Sequence, residues 1–248
     1  MTGLTREEAA GRIMVALDYP EAGAAKKLLR DLEGIPCYIK VGMQLFYSAG
    51  PAFIASLKES GYRVFLDLKM HDIPNTVKGG ASSITKLGVD MFNVHGAGGK
   101  EMMEAAMEGV DAALAGGSTG GYRPTVIAVT HLTSTSQVVL NSEIGIAGSV
   151  EDAVIRYATL AKSAGLNGVV ASPQEVQLIK AACGAEFKTV TPGIRPAGAA
   201  LNDQSRIMTP SEALAQGTDY MVIGRPITGA ADPRAAIESI IEELVGNE

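Results

Sequence analysis

Eight short apolar runs spaced along the whole chain limit its possible folds more than any other feature. They are IMVAL (13–17), CYIKV (37–41), VFLDL (64–68), MFNV (91–94), TVIAV (125–129), GVVAS (168–172), FKTVT (187–191) and YMVIG (220–224). Most are rich in Val and Ile and too short for buried helices, so they read as strands. Their hydrophobicity is continuous rather than alternating, as in strands covered on both faces. Segments with helical spacing lie between them, at 21–33, 52–61, 101–114 and 233–244. Gly61, Gly88, Gly165 and Gly217 stand where such helices end, because glycine accepts the left-handed conformation that closes a helix. Strand then helix, repeated eight times within 248 residues, predicts an α/β fold. The expected form is one (β/α)₈ TIM barrel, a single domain over 1–248. A doubly wound open sheet is the alternative. The strand count and the missing GxGxxG after the first strand weigh against it.

Composition excludes several functions. Lys plus Arg number 21 and Asp plus Glu 27, a net charge of −6. A mildly acidic chain without a basic run is a poor partner for nucleic acid. No stretch reaches the roughly 18 apolar residues of a membrane span. The opening MTGLTREEAAGR lacks the apolar core of a secretory signal, so a cytoplasmic protein is expected. Cys37 and Cys183 have no metal-type spacing and read as buried, reduced thiols. The glycine-rich segment 116–124 reads as a loop. Segment 195–206, with small residues early and polar ones late, has the character of a mobile lid.

Active sites of such barrels lie at the C-terminal ends of the strands, so the polar residues there are the candidates. Asp18 ends the first run and Lys40 lies near the end of the second. Asp67 and Lys69 end the third, followed by His71 and Asp72. His95, Thr130, Thr133 and Ser172 occupy the ends of the next three. Lysines and aspartates inside apolar strands are rarely buried unless paired. Residues i and i+2 of a strand share a face, so Asp67 and Lys69 should point together into the barrel mouth. Asp18 and Lys40 on neighbouring strands can reach the same cavity. Carboxylates beside a lysine favour its charged form, which suits an acid or an electrostatic stabiliser and opposes a Schiff base.

The last two strands carry a phosphate signal. TPGIRP (191–196) and VIGRP (222–226) combine glycines with Arg195 and Arg225, where barrels commonly hold phosphate. Arg grips phosphate with two donors at once. His71, His95 and His131 fall near three adjacent strand ends, but no HxH or HxxxH pair exists and Lys69 would repel a cation, so no metal is expected. Met102, Met103 and Met107 read as core or interface filler.

FLDLKMHDIPNT (65–76) closely resembles the signature of the orotidine 5′-monophosphate decarboxylases. VALDY (15–19), IKVG (39–42), NVHGAGG (93–99), VTHLTS (129–134), VTPGIRP (190–196), DQSRIMTP (203–210) and DYMVIGRPI (219–227) match the bacterial pattern in order. The Asp-x-Lys-x-x-Asp core is shared with other phosphosugar barrels; the remaining motifs make the resemblance specific. It implies conversion of orotidine 5′-monophosphate to UMP and CO₂ without a cofactor, in pyrimidine synthesis. It implies Lys69 as proton donor to C6, Asp67 beside the substrate carboxylate, and Asp72 supplied by the partner chain of a homodimer. Asp18 and Lys40 would hold the ribose, with Thr76 from the partner. Thr133 would contact the pyrimidine. Arg195, Gln204, Gly224 and Arg225 would bind the phosphate side, with loop 195–206 closing over it.

That chemistry suits the residues. Loss of CO₂ from C6 leaves a vinylic carbanion with no electron sink, so the barrier must fall by electrostatics. A fixed ammonium at Lys69 favours the developing charge and then protonates it. Phosphate contacts supply remote binding energy that can organise the site. Two other readings remain open: a metal-dependent phosphosugar decarboxylase or hexulose-phosphate synthase on the same barrel, and a non-catalytic nucleotide-binding barrel.

Overall fold

The structure is a computed structural model that describes residues 3–117, 122–196 and 207–246. Eight parallel strands form one closed barrel in sequence order, with the last strand paired to the first. They are β1 (Ile13–Leu17), β2 (Tyr38–Gly42), β3 (Arg63–Met70), β4 (Met91–His95), β5 (Thr125–Val129), β6 (Gly168–Val170), β7 (Lys188–Thr191) and β8 (Tyr220–Ile223). Helices α1 (Arg6–Gly11), α2 (Ala22–Asp31), α3 (Met43–Glu59), α4 (Pro74–Lys86) and α5 (Gly99–Ala115) serve the first half. The second half carries α6 (Val150–Ser163), α7 (Val176–Cys183), α8 (Pro210–Ala215), α9 (Arg225–Thr228) and α10 (Pro233–Val245). No helix among the described residues is long and apolar enough to cross a membrane.

The expected strands are all present, with ends shifted by one or two residues. Gly61, Gly88, Gly165 and Gly217 have φ of 82°, 73°, 83° and 92°, as a left-handed helix stop requires. Two helical pieces exceed the sequence reading. Helix α3 begins at Met43, directly after β2, and is interrupted at Gly50 (φ 68°) before Pro51, so only its second half was legible as 52–61. The short α1 is started by a capping box in which Thr5 and Glu8 satisfy each other's backbone amides. Its two buried residues, Ala9 and Ala10, are too few to mark a periodic face.

The core has two compartments. The larger lies between the barrel and its helices and includes Val15, Ile39, Val64, Phe92 and Ile241. Met102 and Met103 are buried in it, and Met107 packs against it. The smaller fills the barrel interior with Met14, Tyr38, Phe65, Met91, Ile127 and Val190. Cys37 and Cys183 are both buried. Because the interior is packed, the inward residues beyond this plug are raised to the barrel's C-terminal mouth, where Lys40 follows Tyr38 and Asp67 follows Phe65 on the same face.

Candidate active site

Four charged side chains from three adjacent strands meet at that mouth. Lys40 Nζ lies 3.2 Å from Asp18 Oδ1 and 3.4 Å from Asp67 Oδ2. Lys69 Nζ lies 2.7 Å from Asp67 Oδ1. The order is thus anion, cation, anion, cation, as the sequence suggested. The array runs from dry to wet: the Lys40 side chain is 8% exposed, Asp67 14%, Lys69 29% and Asp18 67%. An unpaired buried carboxylate or ammonium costs several kcal/mol, so the two inner members require each other.

Asp67 is the hub. Burial alone would push its carboxyl up; the Lys40 and Lys69 ammoniums, with hydrogen bonds from Lys69 and Asn93, outweigh burial and hold it below the ordinary range. Asn93 Nδ2 donates to Asp67 Oδ1 at 2.7 Å, and the Lys69 backbone N–H donates to Asn93 Oδ1 at 2.7 Å. Asn93 was not singled out from the sequence. The available signal was an Asn on the inward parity of an apolar strand, a residue type that strands disfavour.

Lys69 reaches the site by an irregular route. Regular alternation predicted that it would share a face with Asp67, and the two do meet. However, β3 slips against β4 between Leu66 and Met70. Lys69 has φ 53° and is the one non-glycine residue with positive φ among the described residues. That conformation costs a side-chain-bearing residue about 1–2 kcal/mol. Strain of this kind persists where the surroundings over-determine it.

A cavity of about 630 Å³ opens over the array, within the range of small-molecule sites. Asp18, Lys40, Asp67, Lys69, Thr133, Arg195, Gly224 and Arg225 all line it, above a floor of Phe65, Val129, Val170 and Val222. His131, Ser134, Pro192 and Thr228 also line it. Gly193 has φ 81°, so the turn that presents Arg195 needs glycine. Gln204 and most of segment 195–206 lie outside the described residues, as does part of 116–124.

Asp72 and Thr76 do not line the cavity of their own chain. Both are exposed at the same end of the barrel, beside Ile73, which is 67% exposed. The Asp72 carboxylate accepts from the Ile73 backbone N–H at 2.6 Å. Other polar strand ends serve the fold: Thr130 Oγ1 donates to the Val170 carbonyl, and Ser172 caps a short turn. His71 and His95 stack with ring centroids 5.3 Å apart. Burial, then His71, His131 and Lys69, hold the His95 imidazole below its ordinary range.

A larger groove of about 900 Å³ lies at the opposite end of the barrel. Its cations are already engaged: Arg63 stacks 4.6 Å over Tyr38, Arg12 donates to the Thr218 carbonyl, and Lys188 pairs with Asp219. The smaller cavity is the one at the strands' C-terminal ends, where barrels of this kind carry their active sites.

Comparison with known proteins agrees with this geometry. The profile of the orotidine 5′-phosphate decarboxylase / HUMPS family matches residues 11–240. The chain belongs to that family. It is 52% identical over 235 residues to the orotidine 5′-phosphate decarboxylase of Geobacillus thermodenitrificans (strain NG80-2), covering 95% of this chain and 97% of the relative. It is 51% identical over 241 residues to the enzyme of that name from Moorella thermoacetica (strain ATCC 39073 / JCM 9320), covering 97% and 95%. The crystal structure of orotidine 5′-phosphate decarboxylase from Lactobacillus acidophilus superposes with a TM-score of 0.83 at 42% identity, over 94% of this chain and 98% of that one. Of the residues in FLDLKMHDIPNT that carry the resemblance, Asp67 and Lys69 lie in the array and Asp72 is exposed outside it.

The depressed Asp67 carboxyl makes a signed prediction. Its charged form stabilises the fold above the ordinary aspartate value of 3.8, and that contribution is lost as pH falls through the lower folded-state value. The unfolding free energy of the parent should fall more steeply below about pH 4 than that of Asp67→Asn, measured by urea unfolding at fixed pH. Equal slopes would contradict the pairing.

Proposed function

We infer that the chain decarboxylates orotidine 5′-monophosphate to UMP and CO₂, with Lys69 as the acid that delivers the proton to C6. The observation that carries this reading is the Lys40–Asp67–Lys69 array in a cavity that Arg195 and Arg225 also line. Curated relatives of that activity match nearly the full chain. The competing phosphosugar chemistry shares only the Asp-x-Lys-x-x-Asp core, and no observation favours it. We also propose a cytoplasmic role in pyrimidine nucleotide synthesis.

The geometry supports a division of labour. With its phosphate held by Arg195, Arg225 and the Gly224 backbone, and by Gln204 as the family resemblance implies, the nucleotide presents its ring to the charge array. Asp18 and Lys40 take the ribose hydroxyls and Thr133 the pyrimidine edge. Asp67 disfavours a carboxylate set beside it, and departure of neutral CO₂ relieves that repulsion. The Lys69 ammonium, fixed by Asp67 at 2.7 Å, favours the electron pair left on C6 and then protonates it. No free acid need be recruited from solvent.

We further propose that each site is shared between two chains, with Asp72 and Thr76 serving the partner's cavity. Their exposure outside their own cavity and the exposed Ile73 between them support this reading. A two-fold dimer supplies both sites by the same exchange.

Two variants test the chemistry. Lys69→Ala should lose turnover by many orders of magnitude while still binding UMP, because one ammonium is both stabiliser and acid. Arg225→Ala should weaken binding of the phosphorylated substrate by about 1.5–3 kcal/mol and leave turnover of the bare nucleoside unchanged. Lys69→Ala activity within about tenfold of the parent, or an Arg225→Ala loss equal on both substrates, would contradict the assignments.

Subunit mixing tests the shared site. Lys69→Ala and Asp72→Asn homodimers should both be nearly inactive. After exchange, confirmed with tagged chains, half the dimers are mixed and each has one intact site in two. Activity should return to about a quarter of the parent value per site. Confirmed exchange without recovery would refute the cross-subunit role of Asp72.

A further inference from the structure

Asn93 lies in the middle of β4, is 1% exposed, and touches the reacting machinery at two points. Register pairs run Phe65↔Met91 and Leu66↔Phe92, then jump to Met70↔Val94. Strand β3 thus uses four steps where β4 uses two. A bulge of this kind leaves backbone groups without ladder partners, and a buried backbone N–H needs one. The Lys69 N–H finds it in Asn93 Oδ1 at 2.7 Å. The other end of the same amide donates to Asp67 Oδ1 at 2.7 Å, the oxygen that also receives Lys69 Nζ. Asp67, Lys69 and Asn93 therefore close a ring through one backbone and two side-chain bonds.

The partners fix the amide's orientation. A backbone N–H can only donate and an ionised carboxylate can only accept, so the carbonyl end must face Lys69 and the amino end Asp67. Asparagine is suited to this position because it supplies one acceptor and one donor on a short stem.

We propose that Asn93 is a positioning residue for the decarboxylation: it holds the Lys69 backbone in its left-handed conformation and clamps Asp67 against the Lys69 ammonium, so that the ammonium is aimed into the cavity before substrate arrives. This rests on the decarboxylase reading. Asn93 does not line the cavity and acts through the two residues it holds. A 1 Å drift of a catalytic group costs far more in rate than in binding, so the effect belongs in kcat.

The test compares the parent with Asn93→Ala and Asn93→Asp. The first removes both bonds. The second is nearly isosteric, keeps an acceptor for the Lys69 N–H and sets a second anion against Asp67. Turnover of orotidine 5′-monophosphate and calorimetric binding of UMP are measured on all three. UMP lacks the departing carboxylate and reports the rest of the cavity. In both variants kcat should fall by about 10–100-fold while UMP affinity stays within about threefold of the parent.

The Asn93→Asp deficit should narrow as pH is lowered from about 8 to about 5.5, because the introduced carboxyl, once protonated beside Asp67, can donate as the amide did. Charged and titratable groups facing this spot are Asp67 and Lys69 on β3, Lys40 on β2, with Asp18 beyond it, and His95 with its stacked His71. Each is present in the parent, so the variant-to-parent ratio isolates position 93.

A kcat within about threefold of the parent in both variants, or a loss of UMP binding as large as the loss of kcat, would overturn the positioning role. If Asn93→Ala does not fold, Asn93→Asp alone decides by the same criteria. A parent that fails to turn over the substrate would overturn the decarboxylase reading and the positioning role with it; an active parent with unaffected variants overturns only the latter.

Discussion

The site depends on one largely buried carboxylate shared by two ammoniums. Asp67 sits 2.7 Å from Lys69 and 3.4 Å from Lys40, at the level where the packed barrel interior ends. Without Asp67, two lysines would be left close together without a counter-charge between them; without them, its own charge would be expelled. Each neighbouring strand contributes one part: Asp18 follows β1, Lys40 lies on β2, Asp67 and Lys69 on β3, and Asn93 on β4. The parallel barrel is what brings the ends of four consecutive strands to one place, and the apolar plug beneath them keeps water from screening the array from below. Its charges are fixed by the protein's own ion pairs and hydrogen bonds, which is the condition for electrostatic preorganisation.

The cavity is lined both by the charges of β1 to β3 and by Arg195 and Arg225 after β7 and β8. Under the proposed function, the two arginines bind a group that does not react, and its binding energy holds the reacting ring against an array that repels the ground-state carboxylate. The strained Lys69 fits the same logic. Its backbone conformation is unfavourable in isolation and its N–H donates to the Asn93 amide, so under the proposed function stability is exchanged for direction at the group that delivers the proton.

Much of this was legible in the sequence because its signals are local. Short Val- and Ile-rich runs separated by glycine-terminated helices specify a barrel. Lysines and aspartates interrupting those runs mark its mouth. What escaped the reading depends on contacts between strands. The slip of β3 against β4 has no local marker, since FLDLKM alternates as a regular strand would. Asn93 becomes meaningful only when its neighbour's irregular backbone is seen. The first half of α3 was hidden because Gly50-Pro51 resembles a loop, and Gly50 does break the helix there, leaving two helical pieces on either side of a kink. Asp72 and Thr76 could not be assigned by geometry within one chain; their suggested role comes from the family resemblance.

In the proposed mechanism the protein's own charge array performs the decarboxylation, without a metal or organic cofactor. The most direct measurement is the decrease in orotidine 5′-monophosphate absorbance, with UMP and CO₂ identified as products, using protein treated with excess chelator and then freed of small molecules. The account predicts sustained turnover that added Mg²⁺ does not increase. No turnover of the nucleotide, with activity on a phosphosugar acid appearing only when Mg²⁺ is restored, would contradict it.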